Sequence, residues 1–314
     1  MFRSIRGFAF NSLRYSSYSS NAIVQSSTES SQQNVKKTIS YIQNLYHEKK
    51  PITMVTAFDS ITSRMSEEAQ IDITLVGDSL ANTSLGYRDT NQLNLEEMLY
   101  HVRSVRRGNQ FSLLVADLPF GSYEVSIEQA TATAIQMVKA GAQAVKLEGA
   151  DDETVRTIKK LVNTGIPVMG HVGLTPQKHN TMGGYKLQGT STESAMQVLE
   201  AAKKIQEAGV FSMVLECVPY RLGEIITQEL SVPTIGIGAG GQTSGQVLVI
   251  ADLLGMQPGP LPRFAKTYAN FFDNGVSALK TYAEEVTSEQ FPLQEHGYKI
   301  KKTVLEEVRK NLEK

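Results

Sequence analysis

Four short apolar runs in this chain end on carboxylates: Val76-Gly77-Asp78-Ser79, Val115-Ala116-Asp117-Leu118-Pro119, Val145-Lys146-Leu147-Glu148-Gly149 and Val214-Leu215-Glu216-Cys217. Where strands and helices alternate, parallel strands bring their C-terminal ends to one face, so acids far apart along the chain are expected to converge there. Clustered carboxylates repel one another unless a cation sits among them or one of them keeps its proton. The pattern predicts a site, and a metal within it.

Each acid has a plainer reading as well. Asp78, before Ser79, could simply cap a following helix. Asp117 is followed by Leu118-Pro119, which ends a strand without starting a helix, so capping explains it less well. Lys146 and Glu148 share side-chain parity on one strand and can both face a barrel interior; they could equally form a structural ion pair. Glu216 lies between Met213-Val214-Leu215 and Val218-Pro219 with no cation nearby in sequence. Desolvation in such a setting raises a carboxyl pKa, which suits a general base. His171 stands at the end of Pro167-Val168-Met169-Gly170 and reads either as a structural histidine or as a group at the site. Cys217 has the opposite parity to Glu216 and reads as a small core residue.

Oxygen ligands, with no histidine pair at metal spacing and no cysteine cluster, favour a hard divalent ion such as magnesium. Two carboxylates plus waters would leave room for a 2-keto acid to chelate through a carboxylate oxygen and its keto oxygen. The metal would then stabilise an enolate formed by proton removal beside the carbonyl. The segment Gly236-Ile237-Gly238-Ala239-Gly240-Gly241 contains G-x-G-x-x-G, but it follows six other strand–helix patterns rather than opening a dinucleotide-binding unit. It reads best as a tight turn near the substrate, with a phosphate loop as the alternative.

The elements that must position these residues alternate regularly. Strands are predicted at 52–56, 73–76, 112–116, 144–147, 167–170, 211–215, 232–235 and 247–251, the last ambiguous between strand and helix. Helices are predicted at 60–70, 95–107, 126–140 (with a capping box at Ser126 and Gln129), 152–163 and 192–208. Eight strands interleaved with helices favour a (β/α)8 TIM-type barrel, with an extra N-terminal helix and C-terminal helices from Arg263 onward. A stripe of Val304, Leu305, Val308 and Leu312 is expected to dock on the body or on another subunit. The expected domains are a catalytic barrel over 34–298 and a helical extension over 299–314.

Composition narrows the class. The 314 residues suffice for one barrel of about 250 residues. Thirty-one basic and 32 acidic residues leave a formal charge of −1, so no basic excess exists to hold a nucleic-acid backbone. The single cysteine excludes an intrachain disulfide, and no run approaches the roughly 18 apolar residues of a membrane span. The first 33 residues differ from the rest: Arg3, Arg6 and Arg14 lie among serines, and no acid precedes Glu29. That composition predicts a mitochondrial transit peptide and a mitochondrial location, with a merely disordered tail as the alternative.

Taken together, several fragments resemble the ketopantoate hydroxymethyltransferase family over roughly residues 35–298. They are Thr56-Ala57-Phe58-Asp59, Val76-Gly77-Asp78-Ser79-Leu80, Ala116-Asp117-Leu118-Pro119-Phe120, Val145-Lys146-Leu147-Glu148-Gly149, Gly170-His171-Val172-Gly173-Leu174-Thr175-Pro176-Gln177, Gly183-Gly184-Tyr185-Lys186, Leu215-Glu216-Cys217-Val218-Pro219 and Ile235-Gly236-Ile237-Gly238-Ala239-Gly240. The resemblance implies a barrel of the phosphoenolpyruvate mutase/isocitrate lyase kind. It implies Mg2+ held by Asp78, Asp117 and Glu148, the last directly or through water, and 3-methyl-2-oxobutanoate anchored with help from Ser79 and Lys146. Glu216 would remove the C3 proton, and the enolate would attack the methylene carbon of 5,10-methylenetetrahydrofolate to give 2-dehydropantoate. His171 would be a polar group on the substrate side, and a homo-oligomer is implied, relatives often being decamers. Ala81, Thr90-Asn91-Gln92-Leu93 and Ser244 depart from the family pattern, but none is an expected ligand or base. Two rivals stand beside this reading: a magnesium-dependent lyase or mutase, whose cysteine-bearing lid the lone Cys217 does not match, and a catalytically silent barrel subunit.

Overall fold

Apolar side chains at every second position of eight short strands point to one side, and closing the sheet turns that side into a packed interior. In the computed structural model, which describes residues 35–313, the strands are β1 (Ile52–Thr56), β2 (Ile73–Val76), β3 (Leu113–Asp117), β4 (Ala144–Lys146), β5 (Val168–Gly173), β6 (Ser212–Glu216), β7 (Thr234–Ile237) and β8 (Gly245–Leu248). They form a closed barrel in sequence order, every neighbouring pair parallel, with β8 returning to β1. The expected (β/α)8 class is the observed one. The transit segment expected at residues 1–33 lies outside the described residues.

Two cores result. Inside the barrel, Ile52, Met54, Ile73, Leu75, Leu113, Val115, Met169, Val214, Ile235 and Val247 pack together, and Ile42 of the N-terminal helix Ile39–His47 joins them. Between the strands and the outer helices lies a second core that includes Val76, Met98, Val102, Leu114, Met137, Ile158 and Ile205. The outer helices follow β1 through β6: Ser60–Glu68, Leu95–Gly108, Ile127–Ala140, Asp152–Asn163, Thr192–Glu207 and Tyr220–Glu229. Several start on side-chain caps, with reciprocal capping at Asp59/Thr62, Asn94/Glu97 and Ser191/Ser194. The box expected at Ser126 is only half made. Ser126 accepts the Gln129 N–H, but Gln129 Oε1 takes the Val125 N–H instead.

The regular alternation fails after β7. Residues 238–244 turn straight back into β8 with no helix, and the ambiguous 247–251 segment divides into the end of β8 and a short helix, Ile250–Leu253. The chain then folds over the barrel mouth through 254–264, where Gln257 Nε2 donates to the Thr83 carbonyl (2.6 Å). Two further helices, Phe271–Thr287 and Lys302–Leu312, bury no residue. The stripe of Val304, Leu305, Val308 and Leu312 is 36–80% exposed, so it does not dock on the body of its own chain. No helix among the described residues is long and apolar enough to cross a membrane.

Closure depends on a glycine at the seam. A Cβ on Gly245 would lie 2.4 Å from the Ile52 carbonyl oxygen and 2.8 Å from Ile235 Cδ1, so β1 and β8 could not keep their register. Gly245→Ala is expected to destabilise the fold by about 1–3 kcal/mol, an overpacking cost. A lower urea midpoint at unchanged m-value is the measurement.

Candidate active site

The inward parity that builds the barrel core continues past it at the C-terminal ends of the strands. After Leu113 and Val115 comes Asp117; after Ala144 come Lys146 and then Glu148; after Met169 comes His171; after Val214 comes Glu216. These side chains line one cavity of about 660 Å3, together with Asp78 and Ser79 from the end of β2. Every residue expected to act from the sequence is therefore in one place. Asp78, Asp117, Lys146, Glu148 and His171 are each at most 5% exposed, whereas Glu216 is only partly buried and reaches the open part of the cavity.

The polar contacts give these residues different roles. Lys146 Nζ lies 2.7 Å from Asp117 Oδ1, and the Asp78 backbone N–H donates to Asp117 Oδ2 at 3.0 Å. The alternative of an ion pair between Lys146 and Glu148 on one strand is not the one observed: Lys146 pairs with the neighbouring strand, opposite Asp117 in the register Asp117↔Lys146. Asp78 caps no helix; its Oδ2 accepts from Gln177 Nε2 at 2.8 Å. Glu148 Oε2 accepts the Gln177 backbone N–H at 3.1 Å, and its Oε1 faces His171 Nδ1 at 3.6 Å. On the other side of that ring, Nε2 lies 3.2 Å from Glu216 Oε2. Glu216 therefore does have a nitrogen partner, from the adjacent strand β5, contrary to the apolar setting its sequence neighbours suggested. Among the described residues neither ring nitrogen meets a partner in hydrogen-bond geometry, so His171 sits between two carboxylates without being locked to either.

Gln177 is the residue that sequence reasoning passed over. It sits in the turn Pro176–Lys178 after β5, is 3% exposed, and contacts Asp78, Glu148 and the Leu118 carbonyl. Tyr123 donates to its Oε1 (2.6 Å) and Asn91 to its carbonyl (3.1 Å), so the side chain has a single orientation. The available signal was a glutamine in a Gly-Leu-Thr-Pro-Gln loop directly after a strand-end histidine, but nothing local announces its burial.

Cys217 is not a core residue. It lines the cavity at the strand end with φ +47, a left-handed conformation costly for a side chain with a Cβ. The Leu174 N–H donates to the Glu216 carbonyl and the Cys217 N–H to the Ile237 carbonyl, so the turn that aims Glu216 is held from both flanks. Burial and then the Glu216 charge push the thiol up to about 11, which keeps it protonated and unreactive at neutral pH. The G-x-G-x-x-G segment is the tight return from β7 to β8. Gly238 and Gly240 take positive φ, and no helix follows to hold a phosphate.

Electrostatics set what the cavity can bind. Four carboxylates, Asp78, Asp117, Glu148 and Glu216, face one buried ammonium. Burial, and then Asp117, push Asp78 up to about 7; burial and Asp78 drive Glu148 well upward too. Burial works against a charged Lys146 but is outweighed by Asp117, Asp78 and Glu148, which hold it above its ordinary range. Two acids pushed toward their protonated forms by burial and like charge, and an Asp117 Oδ1 whose only close partner among the described residues is Lys146, suit a hard divalent cation. Among the described residues no three His, Cys, Asp or Glu side chains converge as a finished chelate. A cation held here would complete its shell with water or substrate oxygens.

The raised Asp78 value fixes a sign. Its carboxyl keeps a proton in the fold up to about 7 but loses it near 3.8 when unfolded, so the stability it adds is full below the lower value and is lost as pH rises through the upper one. In chelator-treated protein, wild type should lose stability between about pH 4 and about pH 7, and Asp78→Asn should flatten that loss. Denaturant midpoints of the two proteins across this range are the check; parallel curves would contradict it.

Comparison with known proteins agrees with this geometry. A solved phosphonopyruvate hydrolase, crystallised with oxalate and Mg++, superposes with a TM-score of 0.55 at 12% identity, over 89% of this chain and 97% of that one. A 2,3-dimethylmalate lyase of the PEP mutase/isocitrate lyase superfamily gives 0.52 at 13%, over 85% and 93%. At these identities the likeness is one of fold. The sequence relatives are much nearer. A 3-methyl-2-oxobutanoate hydroxymethyltransferase of Emericella nidulans is 49% identical over 278 residues, 88% of this chain and 79% of that protein. Enzymes of the same name from Pseudothermotoga lettingae (50%, over 80% of this chain and 95% of that protein) and Ignicoccus hospitalis (51%, over 82% and 97%) are equally similar. The sequence profile for ketopantoate hydroxymethyltransferase matches residues 36–294, which contain every residue of the site, and the chain belongs to that family.

Proposed function

We propose that this protein transfers a hydroxymethyl group from 5,10-methylenetetrahydrofolate to 3-methyl-2-oxobutanoate, forming 2-dehydropantoate and tetrahydrofolate with uptake of one water. Family membership supports the keto acid and its product. The observation that carries the chemistry is the division of the acids: three lie on the buried floor around Lys146, and Glu216 stands apart at the open side beside His171.

On this reading Asp78, Asp117 and Glu148, the last with oxygens that already face Gln177 and His171, would hold Mg2+. When bound, the ion supplies Lewis acidity at the keto oxygen and positive charge to the floor. Lys146 and Ser79 orient the keto acid, with the ammonium offsetting the charge that develops when the C3 proton leaves. Glu216 takes that proton. The resulting C3 carbanion equivalent forms the new carbon–carbon bond to the one-carbon unit, both of whose bonds to folate nitrogens N5 and N10 break; the oxygen of water becomes the new hydroxyl, and the C3 proton and one proton of that water go to the two nitrogens. His171, close to both Glu148 and Glu216, keeps the base aimed at C3 and acts as a polar group on the substrate side.

We further propose import into mitochondria through residues 1–33, on their arginine- and serine-rich, acid-poor composition. Assembly into a homo-oligomer is proposed on the uncovered apolar side chains of the two C-terminal helices. A reporter fused to residues 1–33 should enter mitochondria, and sedimentation should give a multiple of 34.5 kDa; a diffuse reporter or a monomer would refute the respective reading.

Glu216→Gln should abolish exchange of the C3 proton of 3-methyl-2-oxobutanoate in deuterated water, by about 100-fold or more, while Mg2+-dependent binding of the keto acid persists. Wild-type exchange in that variant would remove Glu216 as base. Formation of 2-dehydropantoate from the keto acid, Mg2+ and methylenetetrahydrofolate tests the whole reaction. No product from folded protein would point to a lyase or a silent subunit instead.

A further inference from the structure

The cavity is much larger than a five-carbon keto acid requires, and its acidic floor accounts for one part only. The remainder is bounded by Tyr185 and Leu187 from the loop after β5, and by Val249, Asp252, Pro262 and Phe264 from the segment after β8. One member of that wall is out of character. Asp252 is half-buried on a mostly apolar stretch of the cavity lining, and its carboxylate makes no hydrogen bond or ion pair among the described residues. Burial is the sole influence on it, and pushes its pKa upward. A desolvated acceptor without donors costs free energy unless a ligand supplies them.

The backbone holds this carboxylate still. The Asp252 N–H donates to the Val249 carbonyl, its own carbonyl accepts from Thr267 Oγ1, and the helix start is tied to β1 where the Ile250 N–H donates to Thr56 Oγ1. Phe264 is seated by the absence of a side chain at Gly238, where a Cβ would come within 2.9 Å of the ring. Farther out, Lys186 and Arg263 line the same cavity and take part in no ion pair among the described residues. This part of the cavity therefore offers an apolar wall, one acceptor-only group and two cations, all three charged groups without an ion-pair partner among the described residues.

These features match the one-carbon donor piece by piece. A 2-amino-4-oxopteridine is flat and presents a ring N–H and an exocyclic amino group side by side, a donor pair that two carboxylate oxygens accept together. Its benzoylglutamate end is anionic and suits unpaired cations. We propose that Asp252 is the residue that recognises the pterin edge of methylenetetrahydrofolate, on the apolar wall made by Phe264 and its neighbours, with Lys186 and Arg263 receiving the glutamate carboxylates. This rests on the reading that the donor is a folate. It divides the cavity in two, with the keto acid on the β2–β6 floor and the donor under the β8 segment.

The test is Asp252→Asn, which keeps size but replaces one acceptor oxygen with a donor. Its Michaelis constant for methylenetetrahydrofolate should rise about ten- to a hundredfold, the range for a lost charge-assisted hydrogen bond. The constant for the keto acid and the rate of folate-free C3 proton exchange should stay within about twofold, which a merely structural role would not allow. An independent arm needs no variant. A tetrahydrofolate analogue lacking the 2-amino group should bind wild type about tenfold or more weakly than tetrahydrofolate, and Asp252→Asn should discriminate less between the two. An unchanged folate constant in the variant, or equal wild-type binding of the two ligands, overturns the assignment. Wild type that exchanges the C3 proton but makes no product with the folate overturns the donor reading, and this inference with it. Product formation with an insensitive Asp252 overturns this inference alone.

Discussion

One ammonium among four carboxylates is the constraint on which this site depends. Lys146 is buried, and burial alone would strip its charge, yet Asp117, Asp78 and Glu148 hold the proton on it. In return it fixes Asp117, whose second oxygen takes the Asp78 N–H and so sets the end of β2 against the end of β3. The pairing leaves an excess of negative charge that the protein cannot neutralise from its own side chains. Asp78 and Glu148 are pushed toward their protonated forms as a result. A fold that retains this arrangement stores affinity for a cation and for a ligand that brings one. Polar groups that face each other across strands must also hold still, and the buried amide of Gln177, itself clamped by Tyr123 and Asn91, provides that rigidity.

The barrel supplies the placement. Its interior is a solid apolar core that becomes polar only at the C-terminal ends of the strands, because the same two-residue period carries Val115 to Asp117 and Val214 to Glu216. The departure from regularity is equally functional in its consequences. Because β7 returns directly to β8, a short helix and the chain beyond it cover that side of the mouth, tied down through Gln257 and Thr83. The cavity is thereby unsymmetrical, acidic over β2–β6 and mostly apolar under the β8 segment. The proposed reaction, which joins a small anionic acid to a carbon carried by a large flat heterocycle, fits that asymmetry.

Much of this was legible in the chain before it folded. Strand positions followed from short apolar runs, and the convergence of Asp78, Asp117, Glu148 and Glu216 followed from parallel topology alone. The parity of Lys146 and Glu148 placed both inside the barrel correctly. What failed were inferences drawn from neighbours in sequence. Glu216 has no cation near it along the chain yet meets His171; Lys146 shares a strand with Glu148 yet binds Asp117; Cys217, read as core, lines the cavity in a left-handed turn. The stripe at Val304–Leu312, equally readable as docking on the body, remains open.

The sequence by itself thus determined the barrel, the face to which the candidate catalytic residues converge and the residue types available there. Period and topology are properties of local pattern and chain order, and both can be read in one dimension. Only the tertiary structure decided which charge answers which, that Gln177 organises the floor, and that Asp252 is left without a donor among the described residues. Those are contacts across strands and loops tens of residues apart. Their energies depend on burial and on angstrom-scale distance, neither of which exists until the barrel closes.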